Sequence, residues 1–307
     1  MACRVELQRK RTCAYFLTGA TGFIGSALIP ELLGAGHQVL GLTRSAQGAA
    51  KLQALGAEAH EGRLEDPDSL TAGAAKADAV IHLAFDHDFS NYLANCRKDA
   101  AAIAALGRGI AGSTRPMLIT SGIGMGSPAP GEIAVETVLD LNHPTPRIAS
   151  ELAARDLAEA GLNISTVRLS QIHDTHRQGL VSYLIDIARA TGSAAYVGNG
   201  ATCWSACHLS DAVRLFRMAI ETAEPGQRYH AVGEEAVSLR DIANAIARSL
   251  DIPAVSIPAE EAKLHFGAMA GFAGLDMRAS SMLTQQRLGW APTGPNLLAS
   301  LDAMGPH

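Results

Sequence analysis

Short runs of apolar and β-branched residues alternate with alanine-rich stretches through the first half of the chain, a pattern that sets buried parallel strands between covering helices. Tyr15-Phe16-Leu17-Thr18 has no polar face until its last residue, as a strand covered on both sides requires, and predicts the first strand. Phe23 to Leu33 follows as a helix stopped by Gly34 and Gly36. Further strands are expected at 38–42, 57–61, 79–83, 117–120 and 165–169. Between them Asp66 caps a helix with Pro67 as its first residue, another helix runs through Asp99 to Gly107, and a third spans Pro146 to Ala160. Right-handed crossovers between such units give an α/β fold, a doubly wound parallel Rossmann sheet.

After residue 170 the alternation weakens, and Pro225, Pro253, Pro258, Pro292 and Pro295 punctuate short elements. Ser238 to Leu250 reads as an amphipathic helix. The expected organisation is a dinucleotide-binding domain over 12–170 and a smaller C-terminal α/β substrate lobe over 171–307, with 198–222 returning to the sheet domain.

The 307 residues suffice for one large α/β unit with a lobe, and 48% hydrophobic with 18% charged residues is the balance of a compact globule. A net charge of −5 argues against a nucleic-acid footprint or a polybasic membrane patch. The one basic run, Arg9-Lys10-Arg11, reads as a solvated tail. No run approaches the ~20 apolar residues of a bilayer span, and Met1 to Glu6 has no apolar leader core. The five cysteines are scattered and odd in number, which favours free thiols and a cytoplasmic location over a disulfide framework. Cys203, Cys207 and His208 lack a fourth ligand at a usual spacing, so no metal centre is expected.

The chemistry starts at Gly19-Ala20-Thr21-Gly22-Phe23-Ile24-Gly25, between the first strand and the first helix. In such a loop Gly19 makes the tight turn, Gly22 lets backbone approach a pyrophosphate, and Gly25 lets the helix sit close to the strand. The amides at the start of the helix, around Thr21, Phe23 and Ile24, then face the phosphates. The end of the second strand discriminates between cofactors. An acidic residue there would accept the ribose hydroxyls of NAD; this chain has Thr43-Arg44-Ser45, with a guanidinium suited to a 2′-phosphate and two flanking hydroxyls. NADP(H) is therefore expected, ahead of NAD(H).

With these motifs in view, the sequence resembles the extended short-chain dehydrogenase/reductases, the NAD-dependent epimerase/dehydratase-like group. The resemblance rests on Thr18 to Gly25, Leu64-Glu65-Asp66-Pro67, Ala79-Val80-Ile81-His82-Leu83-Ala84, Ile119-Thr120-Ser121-Gly122, Trp204 to Ala212 and Arg287-Leu288-Gly289-Trp290. It implies that Leu64, Leu83, Ala84 and Thr120 lie along the cofactor. It also implies a Tyr-x-x-x-Lys pair, in which the lysine lowers the tyrosine pKa for proton transfer. That pair is absent: no tyrosine has a lysine at the required spacing, and no lysine occurs between Lys98 and Lys263. Its positions fall on Arg147 and Glu151, and the family serine on Ser121 or Gly122.

The candidate catalytic set is Ser121, Thr120, Arg147, Glu151 and His173. Arg147 would stabilise a developing oxyanion, or else form an exposed pair with Glu151. Ser121 or Thr120 would hydrogen-bond a substrate carbonyl, or cap the strand end. His173, with Asp174 and His176 in the loop after the sixth strand, would supply a proton; Tyr183 is a weaker candidate and His208 reads as structural. The expected function is NADPH-dependent reduction of a small, fairly apolar carbonyl compound with a non-standard proton donor, with a homodimer as an admissible assembly. The alternatives are an NADP(H)-binding sensor or scaffold without catalysis and, behind it, a nucleotide-sugar epimerase or dehydratase.

Overall fold

In the computed structural model, residues 12–129 and 131–304 are described; the basic run at 9–11 and Cys3 lie outside them. Strands β1 (Ala14–Thr18), β2 (Gln38–Thr43), β3 (Glu58–Glu61), β4 (Ala79–His82), β5 (Met117–Gly122) and β6 (Ile164–Leu169) arise where the apolar runs predict them. They form a parallel sheet in the order β6-β5-β4-β1-β2-β3, the strand order reversing beside β1. Helices α1 (Phe23–Gly34), α2 (Ala46–Ala54), α3 (Pro67–Ala75), α4 (Tyr92–Ile110) and α5 (Ile148–Glu159) make the crossovers. Asp66 caps α3 as expected, its carboxylate accepting from the Ser69 amide at 3.3 Å ahead of Pro67.

The remaining elements are β7 (Gln171–His173), α6 (Val181–Thr191), β8 (Ala194–Val197), β9 (Cys203–His208), α7 (Leu209–Thr222), β10 (Arg228–Ala231), β11 (Glu234–Ser238), α8 (Leu239–Leu250), β12 (Ala254–Ile257) and the short helices α9 (Ala262–Phe266), α10 (Ala270–Ala273), α11 (Met282–Leu288) and α12 (Leu297–Asp302). One of them corrects the expected layout. Strand β10, placed by the sequence in the lobe, pairs with β6 and completes a seven-stranded sheet. Its sequence Arg-Tyr-His-Ala hides this role, because Arg228 and His230 are polar and take their places, half-buried and buried, only through long-range partners.

The faces of the sheet follow from strand alternation. Tyr15 and Leu17 point into a core with Leu28, Ile29 and Leu32 of α1 and Phe216 of α7. Phe16 points the other way, against Leu70 of α3 and Ile103 and Leu106 of α4. The lobe has a core of its own, in which Trp204 packs with Leu184, Ile242, Ile246, Leu297 and Leu301 around a β11-β9-β7 sheet. Full burial of each such large apolar side chain contributes about 1.5–3 kcal/mol.

Two buried polar clusters tie these layers together. Arg168 of β6, fully buried, holds Glu151 of α5 in a two-pronged pair at 2.7 and 2.8 Å, and Arg228 of β10 adds a longer contact at 3.3 Å. The guanidinium of Arg168 also donates to His230 Nε2 at 3.3 Å, so the ring's Nδ1 carries the proton and donates to the Ser280 carbonyl at 2.8 Å. Burial, with Arg168 beside it, pushes the His230 pKa down to about 3. In the lobe, fully buried His173 bonds Ser300 of α12 through Nδ1 at 2.9 Å, while its Nε2 lies 3.8 Å from the Glu234 carboxylate. Burial, reinforced by His208, pushes His173 down to about 4.

Removing one partner of a buried pair strands the other charge. Arg168→Met should therefore destabilise the fold by about 3–5 kcal/mol, read from urea denaturation midpoints at constant m-value; a loss below about 1 kcal/mol would contradict the pairing described. The two histidines set the response to acid. Each ring has a lower pKa folded than unfolded, so the unfolded chain takes up protons first as pH falls below about 6.5. Stability is present in full above that value and declines until pH reaches about 4 for His173 and about 3 for His230. For His173 the change is on the order of 3 kcal/mol. His173→Asn should flatten the dependence between pH 6.5 and 4; an unchanged slope in that window would refute it.

Candidate active site

The loop after β1 is shaped by close approaches. Gly19 has φ +67°, and a Cβ on it would come within 2.8 Å of the Ala84 amide nitrogen, so the turn presses against the chain leaving β4. A Cβ on Gly25 would lie 2.2 Å from the Gly19 carbonyl oxygen, so α1 rests directly on the loop. Gly22 caps α1 with no side-chain hydrogen bond and no acidic residue follows in the first turn, leaving the amides around Phe23 and Ile24 for an anion. The side chains of Phe23 and Ile24 pack onto the core. This is a cradle of the kind a pyrophosphate needs, and the residues present fit one.

The sequence overlooked one contributor here: Lys51 of α2 reaches back to the Thr21 carbonyl at 2.9 Å, adding an exposed ammonium beside the loop. At the end of β2 the expected trio divides. Ser45 caps α2, accepting from the Gly48 amide at 3.1 Å, and buried Thr43 faces the backbone of Ser45. Both flanking hydroxyls are thus engaged locally. Arg44 remains exposed, with no hydrogen bond or ion pair among the described residues. Leu64 packs on the core beneath the third strand's end.

Across the carboxyl ends of β1, β4 and β5 runs a continuous chain of buried contacts. Thr18 and His82 are register partners. Thr18 Oγ accepts from the amides of Leu83 and Ala84, both at 3.2 Å, and donates to His82 Nδ1 at 2.7 Å. The other ring nitrogen, Nε2, donates to Asp99 of α4 at 3.0 Å. Asp99, 1% exposed, also accepts from Arg147 at 2.6 Å and from Ser150 Oγ at 2.6 Å. Burial alone would raise the Asp99 carboxyl, but Arg147, His82 and Ser150 outweigh it and hold it well below the usual carboxylate range.

Arg147 and Glu151 do not pair with each other. The resemblance assigns them to the family's tyrosine and lysine positions; Glu151 turns to Arg168 while Arg147 turns to Asp99. A second nitrogen of Arg147 donates to the Thr120 carbonyl at 3.1 Å, and the guanidinium lies 4.0 Å above the Phe85 ring. Thr120 spends its hydroxyl on the His82 carbonyl at 3.1 Å, which removes it as a donor to a ligand. Ser121 is different: it is 3% exposed and its hydroxyl finds no hydrogen-bond partner among the described residues. His173 is not in a solvated loop but in β7, and a buried ring of such low pKa is a poor proton donor near neutral pH. Asp174 makes a local turn with the amides of His176 and Arg177, both at 2.7 Å. Cys207 is buried with its thiol pushed up, and among the described residues no group of three or more His, Cys, Asp or Glu is placed to hold a metal.

Beyond Phe85 an aromatic cluster joins the sheet domain to the lobe. Phe89 meets Tyr92 at 5.6 Å between centroids, Tyr183 of α6 at 5.4 Å and Phe272 of α10 at 5.6 Å. None of these contacts except the position of Tyr183 was anticipated from the sequence.

Comparisons with known proteins agree with this geometry. A family model described as NAD(P)H-binding matches residues 19–193. An uncharacterized protein of Schizosaccharomyces pombe, C2A9.02, is 44% identical over 93% of this chain and 97% of its own length. A 4-hydroxy-2-methyl-3-oxo-4-farnesyl-3,4-dihydroquinoline-1-oxide ketoreductase of Stigmatella aurantiaca is 28% identical over 82% of this chain and 79% of that protein. Among solved structures, a dTDP-glucose 4,6-dehydratase from Streptomyces venezuelae with NAD bound superposes with a TM-score of 0.75 at 18% identity, covering 94% of each chain. Among the described residues no helix is long and apolar enough to cross a membrane. The chain belongs to the NAD(P)H-binding family of oxidoreductases, built on the fold of the extended short-chain dehydrogenases/reductases.

Proposed function

We propose that this protein is an NADPH-dependent reductase of small, apolar carbonyl compounds that works without a tyrosine–lysine pair. The observation that carries the reading is the buried, unpartnered hydroxyl of Ser121 at the carboxyl end of β5, one strand away from the β4 edge that touches the phosphate loop. A buried donor without an acceptor is costly unless a ligand supplies one, and a carbonyl oxygen is such an acceptor. Bound NADPH would supply the hydride. The chain's own residues do the rest: the loop 19–25 holds the pyrophosphate, Arg44 with Lys51 nearby meets the 2′-phosphate, and Ser121 orients the substrate oxygen. Arg147, fixed by Asp99, contributes positive potential where negative charge develops. The aromatic cluster of Phe89, Tyr183 and Phe272 beyond Phe85 favours an uncharged, hydrophobic substrate body, and the ketoreductase relative supports a ketone.

Two outcomes follow. Arg44→Ala should weaken NADPH binding tenfold or more, through loss of a charge-assisted contact of ~1.5–3 kcal/mol, and leave NADH binding nearly unchanged. Fluorescence titration with both cofactors checks this, and equal affinity of the unmodified protein for the two would refute the NADP assignment. Ser121→Ala should lower kcat on a responsive ketone about 10²-fold while the melting temperature and NADPH affinity stay put. An active Ser121→Ala enzyme would remove the hydroxyl from the mechanism.

A further inference from the structure

Of the histidines named from the sequence, His173 is enclosed in β7, while exposed His176 sits in the turn made by Asp174 and has no contact with Phe85 or Arg147 among the described residues. One histidine remains beside Arg147. His87 lies in the stretch 83–88 that leaves β4, whose first residues press against the Gly19 turn, and it shares the Phe85 ring with Arg147. Its Nδ1–H donates to the Phe85 carbonyl at 3.1 Å, which fixes the tautomer and leaves Nε2 as the free nitrogen. The ring packs edge-on to Phe85 at 5.2 Å between centroids, while Arg147 covers the same Phe85 ring at 4.0 Å. One side of His87 stays open to water, so it can recover a proton from solvent.

Building on the reductase reading, we propose that His87 is the proton donor of this site, standing in for the absent tyrosine. In the balanced step bound NADPH would supply a hydride to the carbonyl carbon as the C=O π pair moves to oxygen. The oxygen takes the Nε2 proton of the His87 imidazolium, and the neutral ring is reprotonated by water. Arg147 from the start of α5 and Arg177 from the loop after β7 face the ring, opposed by its neighbour Asp86, which is itself paired with Lys98 at 2.8 Å. Partial desolvation, then Arg147 and Arg177, hold the His87 pKa below the ordinary histidine value. That makes the imidazolium a stronger acid at the cost of its population at neutral pH, so turnover should rise as pH falls below about 6.5.

The first measurement needs no turnover. In isotope-labelled protein, the His87 ring titrated by NMR should show a pKa lower by about half a unit or more with NADP⁺ bound than with NADPH, because the oxidised nicotinamide carries a positive charge nearby. Equal values in the two complexes would overturn the assignment. The second is the pH profile of kcat: His87→Gln should lose about 10²-fold at pH 6 and flatten the acid rise, with NADPH affinity and melting temperature retained. Ser121→Ala should scale the whole profile down without changing its shape. A His87→Gln enzyme with the original profile would also overturn the proposal. Absence of NADPH oxidation by the unmodified protein with any carbonyl would instead defeat the reductase reading on which this role rests.

Discussion

A buried carboxylate has to be answered on every side, and that requirement organises this molecule around Asp99. Taking one such charge out of water costs several kcal/mol unless charges and hydrogen bonds replace the lost hydration. Here the replacements come from two separate elements, His82 at the end of β4 and Arg147 with Ser150 at the start of α5, while Thr18 of β1 fixes the far side of the His82 ring. Strand ends that approach a ligand are thereby locked to the helices behind them. Arg147 is held between Asp99 and the Phe85 ring instead of sampling solvent as an isolated surface arginine would.

The second polar cluster does the same work one layer away. The resemblance assigns the family's lysine to position 151, where this chain carries Glu151, and Arg168 with Arg228 neutralises that carboxylate inside the protein. The two positions are thus committed to different partners: Arg147 to Asp99, Glu151 to the arginines of β6 and β10.

Much of the architecture was legible in the sequence because it rests on local rules. Strands β1 to β6 announce themselves as apolar runs, the Asp66-Pro67 helix start is a backbone matter, and the glycine spacing at 19–25 declares a close approach. The failures share one cause, which is dependence on partners far along the chain. Strand β10 reads as polar because Arg228 and His230 find Glu151 and Ser280 only after folding. Asp99 sits among alanines in a helix and gives no local sign of burial. His173 lies in a segment that suggests a solvated loop, yet Ser300 reaches it from the other end of the lobe. The hydroxyls of Thr43 and Ser45, expected to flank a 2′-phosphate, are instead engaged locally around the start of α2.

The contact between Gly19 and Ala84 links two parts of the site that are usually considered apart. With no room for even a methyl group between them, the turn that receives the dinucleotide and the segment that carries Phe85 to Phe89 form one mechanical piece. Displacement of either must be transmitted to the other, and through Phe89 to Tyr183 and Phe272 in the lobe. Steric exclusion alone thus ties the position of the turn to that of the aromatic cluster bridging the sheet domain and the lobe.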